Sequence, residues 1–179
     1  MLITENYREL NKQLHASRPD YGTSINQWIA YIQPILTPGD TVINYGCGKC
    51  ILQLSEDCHT VNYDPAIKEY SELPEPADIV ICTDVLGHVE PECLDDVLTH
   101  LRMLTLKFAF LTIELTPAKK FLADGRNAHL NLHPSAWWIR KLMDYFTLNN
   151  FERKFEKKGF PDVRNEAILL VFLEPLGPL

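Results

Sequence analysis

The segment Thr41-Val42-Ile43-Asn44-Tyr45-Gly46-Cys47-Gly48-Lys49-Cys50, answered by an acid at Asp64, constrains this chain more than any other part of it. Thr41 to Tyr45 reads as a short buried strand. Gly46 and Gly48 allow a tight turn and a close approach of backbone to a ligand, and the pattern from Lys49 to Glu56 predicts a helix. The next apolar run, Thr60 to Tyr63, delivers Asp64 at 18 positions beyond Gly46. An acid about 20 residues on, at a strand end, is placed to accept hydrogen bonds from ribose hydroxyls. Glycines for close approach and an acid for a sugar diol together suggest a bound nucleoside; the competing reading is a structural strand-to-helix turn.

The turn is shorter than G-x-G-x-x-G, and Cys50 stands where a third glycine is expected. A phosphate prefers a helix N-terminus with free N–H groups. A compact glycine turn suits a ligand such as S-adenosylmethionine, whose amino-acid end carries both charges.

The 179 residues are most simply one domain, 1–179, with residues 1–36 as an N-terminal helical segment covering the cofactor site. A hydrophobic fraction of 46% and a net charge of −7 describe an ordinary globule and argue against general nucleic-acid binding. No apolar run is long enough to span a bilayer, and the polar start Met1 to Gln13 does not read as a signal peptide, so no membrane partner is expected. Five dispersed cysteines do not form a disulfide framework, and a reducing cytoplasm is the expected location. Nothing in the pattern assigns an oligomeric state.

Along the chain, Asn6 to Leu14 has helical spacing, broken by Pro19-Asp20-Tyr21-Gly22. Ser24 can cap a second helix running to Pro34. Ala77 to Val85 reads as a buried strand, and Pro91 opens a helix bearing Leu94, Val97, Leu98, Leu101 and Leu104. Phe108 to Leu115 is another strand. A polar loop, Pro117 to His133, leads to a helix containing Trp137, Trp138, Leu142 and Phe146. The tail reads as a hairpin, Phe151 to Phe155 against Ala167 to Leu173, through Lys157-Lys158-Gly159-Phe160-Pro161. This alternation predicts a three-layer α/β fold, Rossmann-like, with a mainly parallel sheet and a C-terminal antiparallel hairpin. Gly46, Asp64, Thr83-Asp84 and Glu114 to Thr116 all fall at strand carboxyl ends, where such sheets bind ligands.

Tyr45-Gly46-Cys47-Gly48-Lys49, Tyr63-Asp64-Pro65, Cys82-Thr83-Asp84-Val85-Leu86-Gly87-His88-Val89 and Asp124-Gly125-Arg126-Asn127-Ala128-His129 carry a resemblance. With Leu14-His15, Tyr21-Gly22 and Trp137-Trp138, they are similar to the class I S-adenosylmethionine-dependent methyltransferases, specifically small ones of phage and bacterial genomes. The resemblance implies methyl transfer to a small-molecule or nucleotide acceptor. It implies that Tyr21, Gly22, Tyr45, Gly46, Cys47 and Gly48 surround the methionyl end, that Asp64 and Pro65 meet the ribose, and that Thr83, Asp84 and Val85 line the cofactor near its sulfonium. His88 would begin the wall of the acceptor pocket. The family usually has an acid at Asn44, a glycine at Cys50 and a glutamate at Gly87; these departures motivate the alternative of a non-catalytic cofactor-binding or interaction module.

His88, His129 and His133 are the candidate general bases, because imidazole titrates near neutral pH. Cys47 and Cys50 have the form of a redox dithiol that a helix N-terminus would acidify, but no thioredoxin-like context surrounds them. With Cys58-His59 they match no usual zinc spacing, and no metal is expected there. Arg126 and Asn127 either orient a substrate or cap their loop. Arg153, Lys154, Lys157 and Lys158, with Phe151 and Phe155, read as a solvated hairpin face or a local nucleic-acid patch. No Asp-Pro-Pro-Tyr type of loop follows the Ala77 strand, so base-amino methylation is not expected.

Overall fold

Six strands form one sheet in the order β2-β1-β3-β4-β6-β5. The computed structural model describes residues 1–17, 23–54, 57–158 and 163–176. Its strands are β1 (Thr41–Tyr45), β2 (His59–Tyr63), β3 (Ala77–Thr83), β4 (Thr105–Glu114), β5 (Phe146–Lys158) and β6 (Val163–Pro175). β2, β1, β3 and β4 run parallel, while β6 is antiparallel to both β4 and β5. The helices are α1 (Glu5–Ser17), α2 (Ile29–Ile32), α3 (Leu94–Leu104) and α4 (Ser135–Met143), with 3-10 turns at Ser24–Trp28, Gln33–Ile35, Lys68–Tyr70 and Pro91–Cys93.

The layers follow from the side-chain periods. Leu94, Val97, Leu98, Leu101 and Leu104 recur at helical intervals, so α3 buries one stripe against Ile43, Val80, Cys82 and Leu111 on one sheet face. Trp138 and Leu142 of α4 join the same core. Ile25, Trp28 and Ile32 cover the opposite face over Val42, Ile79, Ile81 and Phe110. The register of β3 against β4 shifts between Ala77 and Ile79, where β4 takes one residue more, from Thr105 to Phe108. The result is the expected three-layer α/β architecture. Among the described residues no helix is long and apolar enough to cross a membrane.

Four expectations need correction. The helix anticipated from Lys49 to Glu56 is absent over the described residues 49–54; Ser55 and Glu56 lie outside them. The φ angles of Gly46, Gly48 and Cys50, 70°, 52° and 54°, place every second residue in the left-handed region and prevent a right-handed helix from starting. Ile51, Leu52 and Leu54 pack on the N-terminal helical layer instead. Phe146 belongs to β5 rather than α4. The Ser24 turn is preceded by Thr23 as its cap residue, whose side chain does not cap it. The hairpin is longer than anticipated, and its turn residues Gly159 to Asp162 lie outside the described residues.

Two substitutions test this turn. A Cβ on Gly46 would sit 2.4 Å from Val85 Cγ2 in a backbone conformation that L-residues avoid. Gly46→Ala should therefore destabilise the domain by about 2–4 kcal/mol in urea unfolding. Cys50→Gly, which relieves a left-handed non-glycine residue, should stabilise by up to about 1 kcal/mol. A loss of stability in Cys50→Gly would show that the Cys50 side chain contributes more than its backbone strain costs.

Candidate active site

The carboxyl ends of β1, β2 and β3 open onto a cleft roofed by α1. Its walls include Tyr45, Gly46, Cys47, Gly48, Asp64, Pro65, Thr83, Asp84, Val85 and His88, and about 900 Å³ of space lies between them, solvent at the mouth included. Tyr21 and Gly22 lie outside the described residues.

The tip of β2 shapes the floor. The N–H groups of Gly46 and Cys47 donate to the Tyr63 carbonyl at 2.7 and 3.1 Å. The Gly48 N–H donates to Asp64 Oδ2 at 3.1 Å, and the Ala66 N–H donates to Asp64 Oδ1 at 2.9 Å. The carboxylate thus faces the turn. Burial pushes its pKa up, and the two N–H donors oppose that shift. Each oxygen keeps a lone pair for a further donor. Because these amides are already bonded and no helix N-terminus follows, the turn offers no phosphate cradle.

Tethers lay α1 across the cleft. Thr4 caps the helix by accepting from the Tyr7 N–H at 3.1 Å, and Thr4 itself donates to Glu90 through its N–H and hydroxyl at 2.9 and 2.6 Å. Arg8 donates to the Pro65 carbonyl at 2.7 Å, and Lys49 to the His15 carbonyl at 3.2 Å. Tyr7, Asn11 and His15 face the cleft from this roof. The Tyr7 hydroxyl and Asn11 Oδ1 are buried without a protein partner. Unpaired buried polar atoms in a cavity wall are what a polar ligand would satisfy. Sequence reasoning missed both, since the helical pattern of α1 gives no sign of which face looks into a cleft.

At the other end, Asp84 follows β3 with φ 57°, and its Oδ1 lies 3.9 Å from both His88 Nε2 and His129 Nε2. The loop carrying His129 is stapled in place. Asn127 Oδ1 accepts from the Ala118 and His129 N–H groups, its amide donates to the Ala118 carbonyl, and the Gly87 carbonyl accepts from Leu130 and Asn131. Asn127 therefore holds the loop, and Arg126 pairs with Asp124. Neither His129 nor His133 is among the cleft walls: His129 meets the rim through Asp84 and the His88 ring, 4.7 Å away between centroids, while the His133 ring stacks on Trp137 at 3.7 Å. Trp138 is fully buried in the core.

The other candidates dissolve locally. Cys47 and Cys50 sit 3.1 Å apart, but burial raises the Cys47 thiol and no helix N-terminus opposes it. Among the described residues, the cysteines do not gather with His59 as metal ligands. Arg153 pairs with Glu166 and Lys154 with Glu152, which neutralises the hairpin cations; the side chains of Lys157 and Lys158 lie outside the described residues.

Glu114, at the end of β4, is pushed up to about 7, chiefly by burial and then by the Asp84 and Glu156 carboxylates. A carboxyl whose folded pKa exceeds its ordinary 4.5 stabilises nothing when ionised. Its cost is absent below pH 4.5, grows between pH 4.5 and about 7, and is complete above that. Glu114→Gln should raise the thermal midpoint at pH 8 by roughly 2–6 °C and leave it unchanged near pH 4. Equal shifts at both pH values would assign the effect to packing.

Neither a protein-family model nor a curated protein sequence matches the chain. Solved structures do. An N-methyltransferase, NodS, from Bradyrhizobium japonicum, in complex with S-adenosylhomocysteine, superposes with a TM-score of 0.58 at 13% identity over 96% of this chain and 99% of that one. The 1,6-didemethyltoxoflavin-N1-methyltransferase of Burkholderia thailandensis gives 0.59 at 14% identity, covering 95% and 87%. The magnesium protoporphyrin IX methyltransferase of Synechocystis gives 0.58 at 16%, covering 87% and 83%. The protein has the fold of the class I S-adenosylmethionine-dependent methyltransferases.

Proposed function

We propose that this protein binds S-adenosylmethionine in the cleft and transfers its methyl group to a small-molecule acceptor, nucleotides included. The observation that carries this reading is the meeting of the Asp64 carboxylate with the glycine turn on the floor of a cleft whose roof holds two unpaired polar atoms. Structural neighbours with S-adenosylhomocysteine bound support it, and one of them also holds its small acceptor, 1,6-didemethyltoxoflavin.

In this reading the remaining lone pairs of Asp64 accept the ribose hydroxyls. Gly46, lacking a Cβ, keeps the floor thin enough for close contact. Asn11 Oδ1 accepts from the ammonium of the methionyl end, and the Tyr7 hydroxyl donates to its carboxylate. The cofactor supplies a methyl group on a positively charged sulfur, which leaves as a neutral thioether. Alignment alone can supply about 7–11 kcal/mol of the barrier to such a displacement. The acceptor would reach the end of the cleft where Asp84, His88 and His129 converge, and there its nucleophile would pass its proton to the His88 Nε2. Burial lowers the His88 pKa, so its imidazole is neutral at pH 7. Five free thiols suit work in a reducing compartment.

Calorimetry with S-adenosylhomocysteine tests the cofactor site. The wild-type chain should bind, and Asp64→Ala should bind about 10–100-fold more weakly, as expected for losing charge-assisted hydrogen bonds. No binding by the wild type overturns the reading. The three departures at Asn44, Cys50 and Gly87 frame the second outcome: binding without turnover across a broad panel of hydroxyl, amine and thiol acceptors would make the protein a cofactor-binding module.

A further inference from the structure

We propose that Asp84, His88 and His129 form a binding site for one divalent transition-metal cation at the acceptor end of the cleft. The oxygen and two nitrogens lie within 4.8 Å of one another, and Asp84 Oδ1 is 3.9 Å from each nitrogen. Ligand atoms around a four-coordinate cation with bonds of about 2.0–2.1 Å stand roughly 3.4 Å apart. The Asp84 side chain is 32% exposed, so its carboxylate can turn to shorten both of its contacts.

Both imidazoles are oriented from behind. His88 Nδ1 lies 2.8 Å from the Ala128 carbonyl and His129 Nδ1 lies 2.6 Å from the Thr116 carbonyl. A carbonyl only accepts, so each Nδ1 carries the proton and each Nε2 presents its electron pair toward Asp84. Such a backbone partner on the far nitrogen is the usual support of a metal-ligating histidine. The aspartate is held as firmly, its N–H donating to the Thr112 carbonyl and hydroxyl, both at 3.1 Å, from a left-handed backbone. A strained residue that its surroundings enforce is a mark of a working site. Gly87 lies beside this pair: a Cβ at that position would rest in ordinary van der Waals contact with the His129 ring, 3.7 Å from Cδ2.

The donor set selects the ion. Two imidazoles and one carboxylate suit zinc, cobalt or iron, whereas magnesium and calcium favour all-oxygen sites. Three protein ligands leave a fourth position, and Asp84 and His88 turn it toward the cleft. An acceptor hydroxyl bound there loses its proton to water and keeps the electron pair, which makes it a nucleophile at neutral pH. That role rests on the proposed methyl transfer; occupancy of the site does not.

The test therefore reads occupancy. Metal-free full-length protein is titrated with Co²⁺ and its visible ligand-field absorption followed. The expected result is a band saturating at one equivalent, displaced by Zn²⁺ and indifferent to excess Mg²⁺. His129→Ala should weaken Co²⁺ binding at least about 100-fold, and Asp84→Asn should do likewise. Cys50→Ser should leave the band unchanged, which separates this site from the nearby thiols. Circular dichroism confirms folding, and should His129→Ala not fold, Asp84→Asn carries the comparison. Absence of a saturable band, or an undiminished band in a folded ligand variant, overturns the proposal. Calorimetry with S-adenosylhomocysteine in the same metal-free sample reports separately on the cofactor site.

Discussion

Three hydrogen bonds from the β1 turn to the tip of β2 hold the site together, two to the Tyr63 carbonyl and one to the Asp64 carboxylate. In a sheet of this kind the turn after the first strand usually leads into a helix that fixes it. Here the described crossover from Gly46 to β2 has no helix, and its left-handed residues at 46, 48 and 50 would otherwise have little to order them. The bonds to β2 replace that support at about 1 kcal/mol each. They also decide what the turn can recognise. Amides already bonded inside the protein cannot cradle a phosphate, and what remains is a thin wall next to a buried carboxylate.

The same economy of parts extends to the roof. α1 is short and amphipathic, with Tyr7 and Leu14 buried, and an isolated helix of that length is marginal in water. Its place is set by Thr4 on Glu90, Arg8 on Pro65 and Lys49 on the His15 carbonyl. Each tether reaches a different wall of the cleft, the β3–α3 loop, the β2 loop and the glycine turn. An apolar cluster seats it as well, Tyr7, Leu10 and Leu14 packing with Leu122, Ala128 and Leu130 of the loop that carries His129, so opening the roof breaks apolar as well as polar contacts. A ligand that pairs the Tyr7 hydroxyl and Asn11 Oδ1 would favour the closed roof.

What was legible in the sequence were the parts governed by period and punctuation. β1, β3 and α3 follow from apolar runs and from leucines at helical spacing, and the rim follows from where those runs end. The helix after the turn was misread because Cys50 gives no local sign of a left-handed backbone, a conformation that tertiary contacts impose. Phe146 was assigned to α4 because a helix that ends three residues earlier and a strand that begins with an aromatic share the same apolar spacing. His129 was visible as a loop histidine, but its meeting with Asp84 spans 45 positions (84 to 129) and depends on Asn127 and Gly87 folding the loop back. His133, equally prominent in the sequence, stacks on Trp137 instead.

The three departures from the family pattern become coherent once the contacts are set side by side. Asn44 is buried and donates to the half-buried Asn62 Oδ1 at 2.9 Å, so a neutral hydrogen-bonded pair stands where an acid would have brought a charge into the core. Cys50 brings its thiol to Cys47 across a turn that never becomes a helix, so the crowding a glycine usually avoids does not arise. Gly87 packs beside the His129 ring, and its carbonyl accepts from the Leu130 and Asn131 N–H groups that hold the His129 loop. Each change has a partner elsewhere on the rim that accepts it, and random loss would leave orphaned groups at those positions. Among the described residues the buried side-chain atoms without a hydrogen-bond partner are Tyr7 Oη, Arg8 Nε and Asn11 Oδ1 on α1 and the indole nitrogens of Trp28 and Trp138 in the core, and of these Tyr7 and Asn11 line the cleft. Satisfied residues at the altered positions, together with unpaired polar atoms of Tyr7 and Asn11 in the cavity wall, are what the proposed cofactor site requires.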